Sequence, residues 1–176
     1  MMPPGHVAIT WGMAEVLHAH PTRLDYRLLA LAAMAPDLID KPLAMLVFTQ
    51  ADTSQLIAHS LLLNMVVLLG ALLWFRAALP YVLAGNGHLL ADRIWNHTET
   101  FWWPLYGWNT FWVYKPMGSA QEMAAVYWEI ITRYPQVWVV EIIAVAYLAG
   151  FAYRRGWYRW PGQMQFWRTG RVDTRG

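Results

Sequence analysis

Six ionisable residues of this chain sit where ionisable residues are expensive. His6, Asp37, Asp40, His59, His88 and Asp92 lie in or beside long apolar runs, among them LIAHSLLLNMVVLLGALLWF (56–75) and AALPYVLAGNGHLLAD (77–92). A charge in hydrocarbon-like surroundings persists only when it is paired, bound to a metal or put to use. Any fold of this chain must therefore bring these groups together. His with Asp is also a donor set that borderline and hard divalent metals accept.

The length, 176 residues, is that of one domain. Hydrophobic residues make up 57% and charged residues 14%, against roughly 25% charged in soluble domains. Mean hydropathy is nevertheless only +0.26, because 12 Trp and 9 Tyr score as polar. These rings concentrate at membrane–water interfaces, where an apolar body and a polar tip each find their solvent. With no cysteine, disulfides and thiolate metal sites are excluded. The start, MMPPGHVAITWG, has no basic segment and no small-residue cleavage motif, so no cleavable signal peptide is expected.

The net charge of +2 hides an asymmetry. Residues 154–176 carry Arg154, Arg155, Arg159, Arg168, Arg171 and Arg175 against Asp173 alone, whereas residues 1–153 are net acidic. An Arg/Trp tail after an apolar helix is read as an anchor on anionic headgroups, and no nucleic-acid partner is expected. The division expected is a membrane-embedded helical domain over 1–153 and a basic cytoplasmic tail over 154–176.

Six helical segments are predicted: about 5–19; 23–35, ending before Pro36; 55–76; 77–95; 120–133, opened by the capping-box pattern Ser119-Ala-Gln-Glu122; and 136–153. The third and the last have the length and apolarity of bilayer spans. Residues 101–114 hold eight aromatics broken by Pro and Gly, which predicts an interfacial loop. The fold class expected is all-α, a multi-pass bundle of four to six helices with that loop at its rim.

Placing the Arg-rich end in the cytoplasm puts nine basic residues inside and four (Lys41, Arg93, Lys115, Arg133) outside. His6, Asp37, Asp40, His59, His88 and Asp92 then all arrive at the same, non-cytoplasmic end. His88 and Asp92 are four apart and share a helix face. The expected ligands of a divalent ion, Zn²⁺ or a related one and one or two in number, are His6, Asp37, His59, His88 and Asp92. Asp40 is the expected base, or the group that orients a histidine, with Asp37 as the next candidate base. Arg93 and Asn96 border the site and suit an anionic oxygen; Trp102 and Trp103 belong to the stretch expected to hold a lipid headgroup. His18 and His20 fall at the opposite end and are set aside, and His97 lies beyond the helix turn of Asp92.

GHVAIT, MAPDLIDKPL, AHSLLL and GNGHLLADRIW followed by WWPLYGW together resemble the membrane-bound metal-dependent hydrolases, the group that includes the LexA-regulated inner-membrane hydrolases. The resemblance covers about residues 5–108. Many relatives read PD-x-D-H where this chain has Asp37-Leu38-Ile39-Asp40, and HRGxTHS where it has Ser54 to Ser60 without the first His and the Arg. The order His6, Asp37, His59, His88, Asp92 is more distantly similar to zinc-dependent phospholipases C, whose later HxxxE pair is absent. The resemblance implies a multi-pass protein of the inner membrane with a hydrolase-type metal site. The function expected is metal-dependent hydrolysis of an amphiphilic, lipid-like phosphoester or ester, with membrane lipid as partner. The alternatives are a non-enzymatic metal-binding, transport or scaffold protein and a soluble all-α enzyme.

Overall fold

The computed structural model describes residues 2–17, 23–48, 53–108, 124–125, 128–129 and 132–172, and among these it holds helices and no strand. α1 spans Pro3–Leu17. Its first turn is capped from a distance: the buried Glu141 carboxylate accepts from the amides of Met2 and Gly5 at 2.8 and 2.9 Å. These are N–H groups that a helix start leaves without a helical acceptor.

α2 (Tyr26–Leu46) begins at Asp25, whose side chain accepts from the amides of Arg27 and Leu28. It does not stop before Pro36, as the sequence predicts, but continues through Pro36 and Pro42. Each proline removes one helical N–H. Pro36 leaves the Ala32 carbonyl without its usual donor, and α4 comes in close there: a Cβ added to Gly85 would stand 3.4 Å from that oxygen. Tertiary packing supports the helix where local chemistry would end it. As a result Asp37 and Asp40 stand on one helical face and not in a turn.

The segment expected as one helix over 55–76 is divided. Ile57–His59 forms a 3₁₀ turn, Ser60 caps with its hydroxyl accepting from the Leu63 amide, and α3 covers Leu61–Leu73. α4 covers Leu79–Ala91, and α5 is the short Thr98–Phe101. At 13 residues each, α3 and α4 are about 20 Å long, shorter than the hydrocarbon core of a bilayer. α6 (Pro135–Arg154, 20 residues) is long and apolar enough to cross a membrane, and among the described residues it is the one helix that is. The described residues thus form an all-helical bundle with one helix both long and apolar enough to span a bilayer. Most of the helix expected over 120–133, along with His18, His20 and residues 109–114 of the aromatic stretch, lies outside the described residues.

α2 packs on α1 and α4, α1 also packs on α6, and α3 packs on α4. The main core lies at the Asp25 end, where Trp11, Leu24, Tyr26, Leu29, Ala84, Phe151 and Val172 are buried together. The Trp11 indole N–H donates to the Tyr26 carbonyl at 3.0 Å. The Arg-rich segment after residue 153 contributes to this core. It forms α7 (Trp160–Thr169), and its Trp157 and Phe166 pack edge-on to Trp11. Gly170, at φ 65°, ends α7, and its carbonyl accepts from the Tyr26 amide at 2.7 Å. Six arginines dominate the reading of that stretch; the aromatics between them place it. Glu15 of α1 ties the same end to α6, pairing with Arg155 at 2.6 Å and accepting from the Tyr147 hydroxyl at 2.9 Å.

Candidate metal centre

The opposite end of the bundle is built from polar groups. Asp40 is wholly buried on α2 and receives four donors. The backbone amides of Leu56, Ala58 and His59 reach it at 2.7, 3.0 and 3.1 Å, and His59 Nδ1 at 2.7 Å. Three amide donors hold Asp40 as an acceptor, so Nδ1 of His59 carries a proton, and in the neutral imidazole Nε2 carries the lone pair. The carboxylate also winds the 57–59 turn around itself, which explains why the chain forms a 3₁₀ turn there before α3 starts.

His88 reaches the same state by another route. Its Nδ1 lies 2.7 Å from the Ala33 carbonyl, which can only accept. In the neutral imidazole, Nε2 of His88 is therefore also the lone-pair nitrogen. Both Nε2 atoms are buried without a hydrogen-bond partner. An unsatisfied buried acceptor costs about 1–3 kcal/mol, so two side by side call for an explanation.

Two carboxylates face them. Asp37 Oδ1 stands 3.7 Å from His59 Nε2 and 3.8 Å from His88 Nε2, and Asp92 Oδ2 stands 3.4 Å from His88 Nε2. One donor atom from each of Asp37, His59, His88 and Asp92 lies within 4.8 Å of all the others. Atoms about 2.1 Å from a tetrahedral ion stand roughly 3.4 Å from one another. The four side chains are thus spaced slightly wider than a closed coordination shell, and both imidazoles present a lone pair inward. The donor set and the orphaned nitrogens fit a metal ion, and the group could hold one.

The remaining expected residues distribute around this group. His6 stands beside it: its ring stacks on His88 with centroids 3.9 Å apart, and its Nε2 is 3.2 Å from Asp92 Oδ1. Arg93 follows Asp92 in a left-handed conformation, φ 51°, and is exposed, as are Asn96 and His97. Trp102 is exposed, whereas Trp103 is partly buried against the small cluster of Ala44 and Leu56 beneath the 57–59 turn. The buried Thr100 hydroxyl donates to the Gln55 carbonyl at 3.0 Å and fixes α5 to this end. Glu141 stands near as well, capping the first turn of α1 through the amides of Met2 and Gly5, just before His6.

Two contributors were not singled out from sequence. Lys41 donates to Asp37 Oδ2 at 2.6 Å from one turn further along α2. The Ala33 carbonyl fixes His88. The i, i+4 spacing of Asp37 and Lys41 was legible, but only to a reading that carried α2 past Pro36.

Comparison with protein-family models, with curated proteins and with solved structures finds no match in any of the three.

Proposed function

We propose that the chain is a membrane-embedded hydrolase that uses a divalent ion, Zn²⁺ or a related one, on Asp37, His59, His88 and Asp92. Its substrate would be a lipid-like phosphoester or ester. The observation that carries the reading is the pair of buried, partnerless Nε2 atoms aimed at two carboxylates. An ion so held polarises a phosphoryl or carbonyl oxygen and lowers the pKa of water beside it.

The residues then take distinct parts. His59 and His88 enter with their tautomers fixed by Asp40 and the Ala33 carbonyl, an arrangement that orients ligands and raises their basicity. Asp40 is a positioning residue, because four donors close its carboxylate to water. Asp37 is the better-placed proton acceptor, with Oδ1 facing the two histidines and Oδ2 held by Lys41. Lys41, partly exposed, together with Arg93 supplies positive charge for an anionic headgroup. His6 acts through Asp92.

Membrane embedding is supported by α6 and by apolar side chains left exposed around the bundle. Leu62, Val66, Leu69 and Leu73 on α3 and Val139, Ile142 and Ile143 on α6 are all at least 48% exposed. Continuous apolar surface of this kind marks contact with lipid or protein. The site end faces the non-cytoplasmic side, by the excess of basic residues at the other end.

One observation favours a second reading. Asp37, His59 and His88 are buried, and four donors already complete a tetrahedral shell, as in structural sites. Metal analysis of detergent-purified protein, coupled to a panel of lipid phosphoesters and esters, separates the two. One ion per chain with metal-dependent turnover supports the hydrolase. One ion with no turnover on any member supports the structural site, and no ion removes both.

A further inference from the structure

A second feature lies along α1 and α4. Between α1 and α4 runs an apolar cavity of about 620 Å³. On α1 it is lined by Ile9, Met13 and Leu17, and on α4 by Leu79, Leu83 and Leu90. Three lining residues are polar: Thr10, Asn86 and Arg76. Asn86 turns its amide back on its own helix, donating to the Val82 carbonyl at 3.0 Å. Arg76 is the one charged residue of the lining, and it stands at one end of it, in the turn that opens α4.

We propose that this cavity holds one acyl chain of an anionic phospholipid whose phosphate rests on Arg76. The volume lies within the roughly 300–1,000 Å³ of ligand sites. From Pro80 to Leu90 the groove follows ten residues of helix, about 15 Å, which is half the hydrocarbon thickness of a bilayer and so the depth of one leaflet. The charge is at the correct end for such a guest. The Arg76 side chain spends its Nε–H on the Leu72 carbonyl at 3.4 Å, and its exposed guanidinium is suited to bidentate contact with phosphate. The metal-site residues do not line the cavity. This lipid is therefore a resident of the basic end and not the substrate. The inference rests on membrane placement and is independent of the metal.

Gly87 supplies a clean test. Gly87 lines the groove and a Cβ added there meets nothing within 4 Å, so a Gly87→Leu side chain starts into open space within it. The full chain in detergent would be incubated with equal amounts of phosphatidylglycerol and phosphatidylcholine of the same chains, then released for native mass spectrometry with zinc present. The wild type should retain one phosphatidylglycerol per chain, at least about tenfold over phosphatidylcholine, as a charge-assisted contact implies. Arg76→Gln should abolish that preference and Arg76→Lys keep part of it, whereas Gly87→Leu should lose both lipids. Equal retention of the two lipids by the wild type would overturn the proposal, as would undiminished retention by Gly87→Leu. Zinc mass is read in the same spectra. Zinc without lipid sinks this inference alone, and lipid without zinc sinks the metal reading alone.

Discussion

At one end of the bundle, Asp40, His59 and His88 are fixed by hydrogen bonds, most of them to backbone groups. At the other, Trp11, Tyr26, Phe151, Trp157 and Phe166 pack ring against ring, with centroids 4.0–6.3 Å apart. Aromatic packing is tolerant of small shifts and gains mainly by burial. Buried polar networks are not tolerant: satisfied, they fix one geometry, and half-satisfied they cost stability. The difference teaches where to look for function. The aromatic end leaves the buried Tyr26 hydroxyl without a hydrogen-bond partner. The polar end sets two such atoms, His59 Nε2 and His88 Nε2, side by side against two carboxylates.

If the two ends have separate tasks, substitutions should separate too. The largest effect is expected at the aromatic end. Phe151 is fully buried, so Phe151→Ala should lower unfolding stability by about 3–5 kcal/mol in detergent. The metal-to-protein ratio of the folded fraction should stay unchanged. Joint loss of metal and stability would merge the two regions into one.

At the polar end, Asp40→Asn should weaken zinc affinity by about 10–100-fold, the usual effect of losing the group that orients a ligand histidine. Titration of zinc against a competing chelator measures it. Unchanged affinity with turnover lost would make Asp40 a base and not a positioning residue.

Gly170→Ala tests the docking of the C-terminal segment. A Cβ there would stand 1.8 Å from the Asp25 carboxylate, at a φ of 65° that favours glycine. A cost of about 1–3 kcal/mol is expected, with zinc affinity unaltered. A silent substitution would mean that Gly170 does not bind α2 as described.

The smallest effect concerns pH. The Arg27 side chain, by hydrogen bonding, holds the Asp25 carboxyl below its ordinary range. A depressed folded value makes its contribution present above the unfolded pKa of about 3.9 and lost as pH falls through the lower folded value. Denaturation between pH 5 and pH 2 should show this slope, flattened in Asp25→Asn. An equal slope in both proteins would remove Asp25 from the account.

Much of the site was legible in the sequence, because the cost of burying His and Asp is a property of residue type and not of fold. His59, His88 and Asp92 declared themselves by sitting in apolar runs, and His88 with Asp92 by a spacing of four. Two things were hidden. Pro36 reads locally as a helix end, yet α2 continues through it with α4 packed close at Gly85, and this is what makes Lys41 a neighbour of Asp37. In the sequence Asp40 reads as base or orienter with nothing to choose between them. The choice depends on three backbone amides brought from 16 to 19 residues away, which no side-chain pattern records. The helix α7 was missed because charge, counted alone, outweighed the aromatics beside it.

The central claim is that Asp37, His59, His88 and Asp92 hold one divalent ion. Calorimetric titration of Zn²⁺ into metal-stripped, detergent-purified protein tests it directly, alongside His88→Ala and Asp92→Ala. The account predicts one ion per wild-type chain and loss of most binding in both variants, with helical content retained. Absence of binding to the wild type, or full stoichiometry and affinity in both variants, would contradict it.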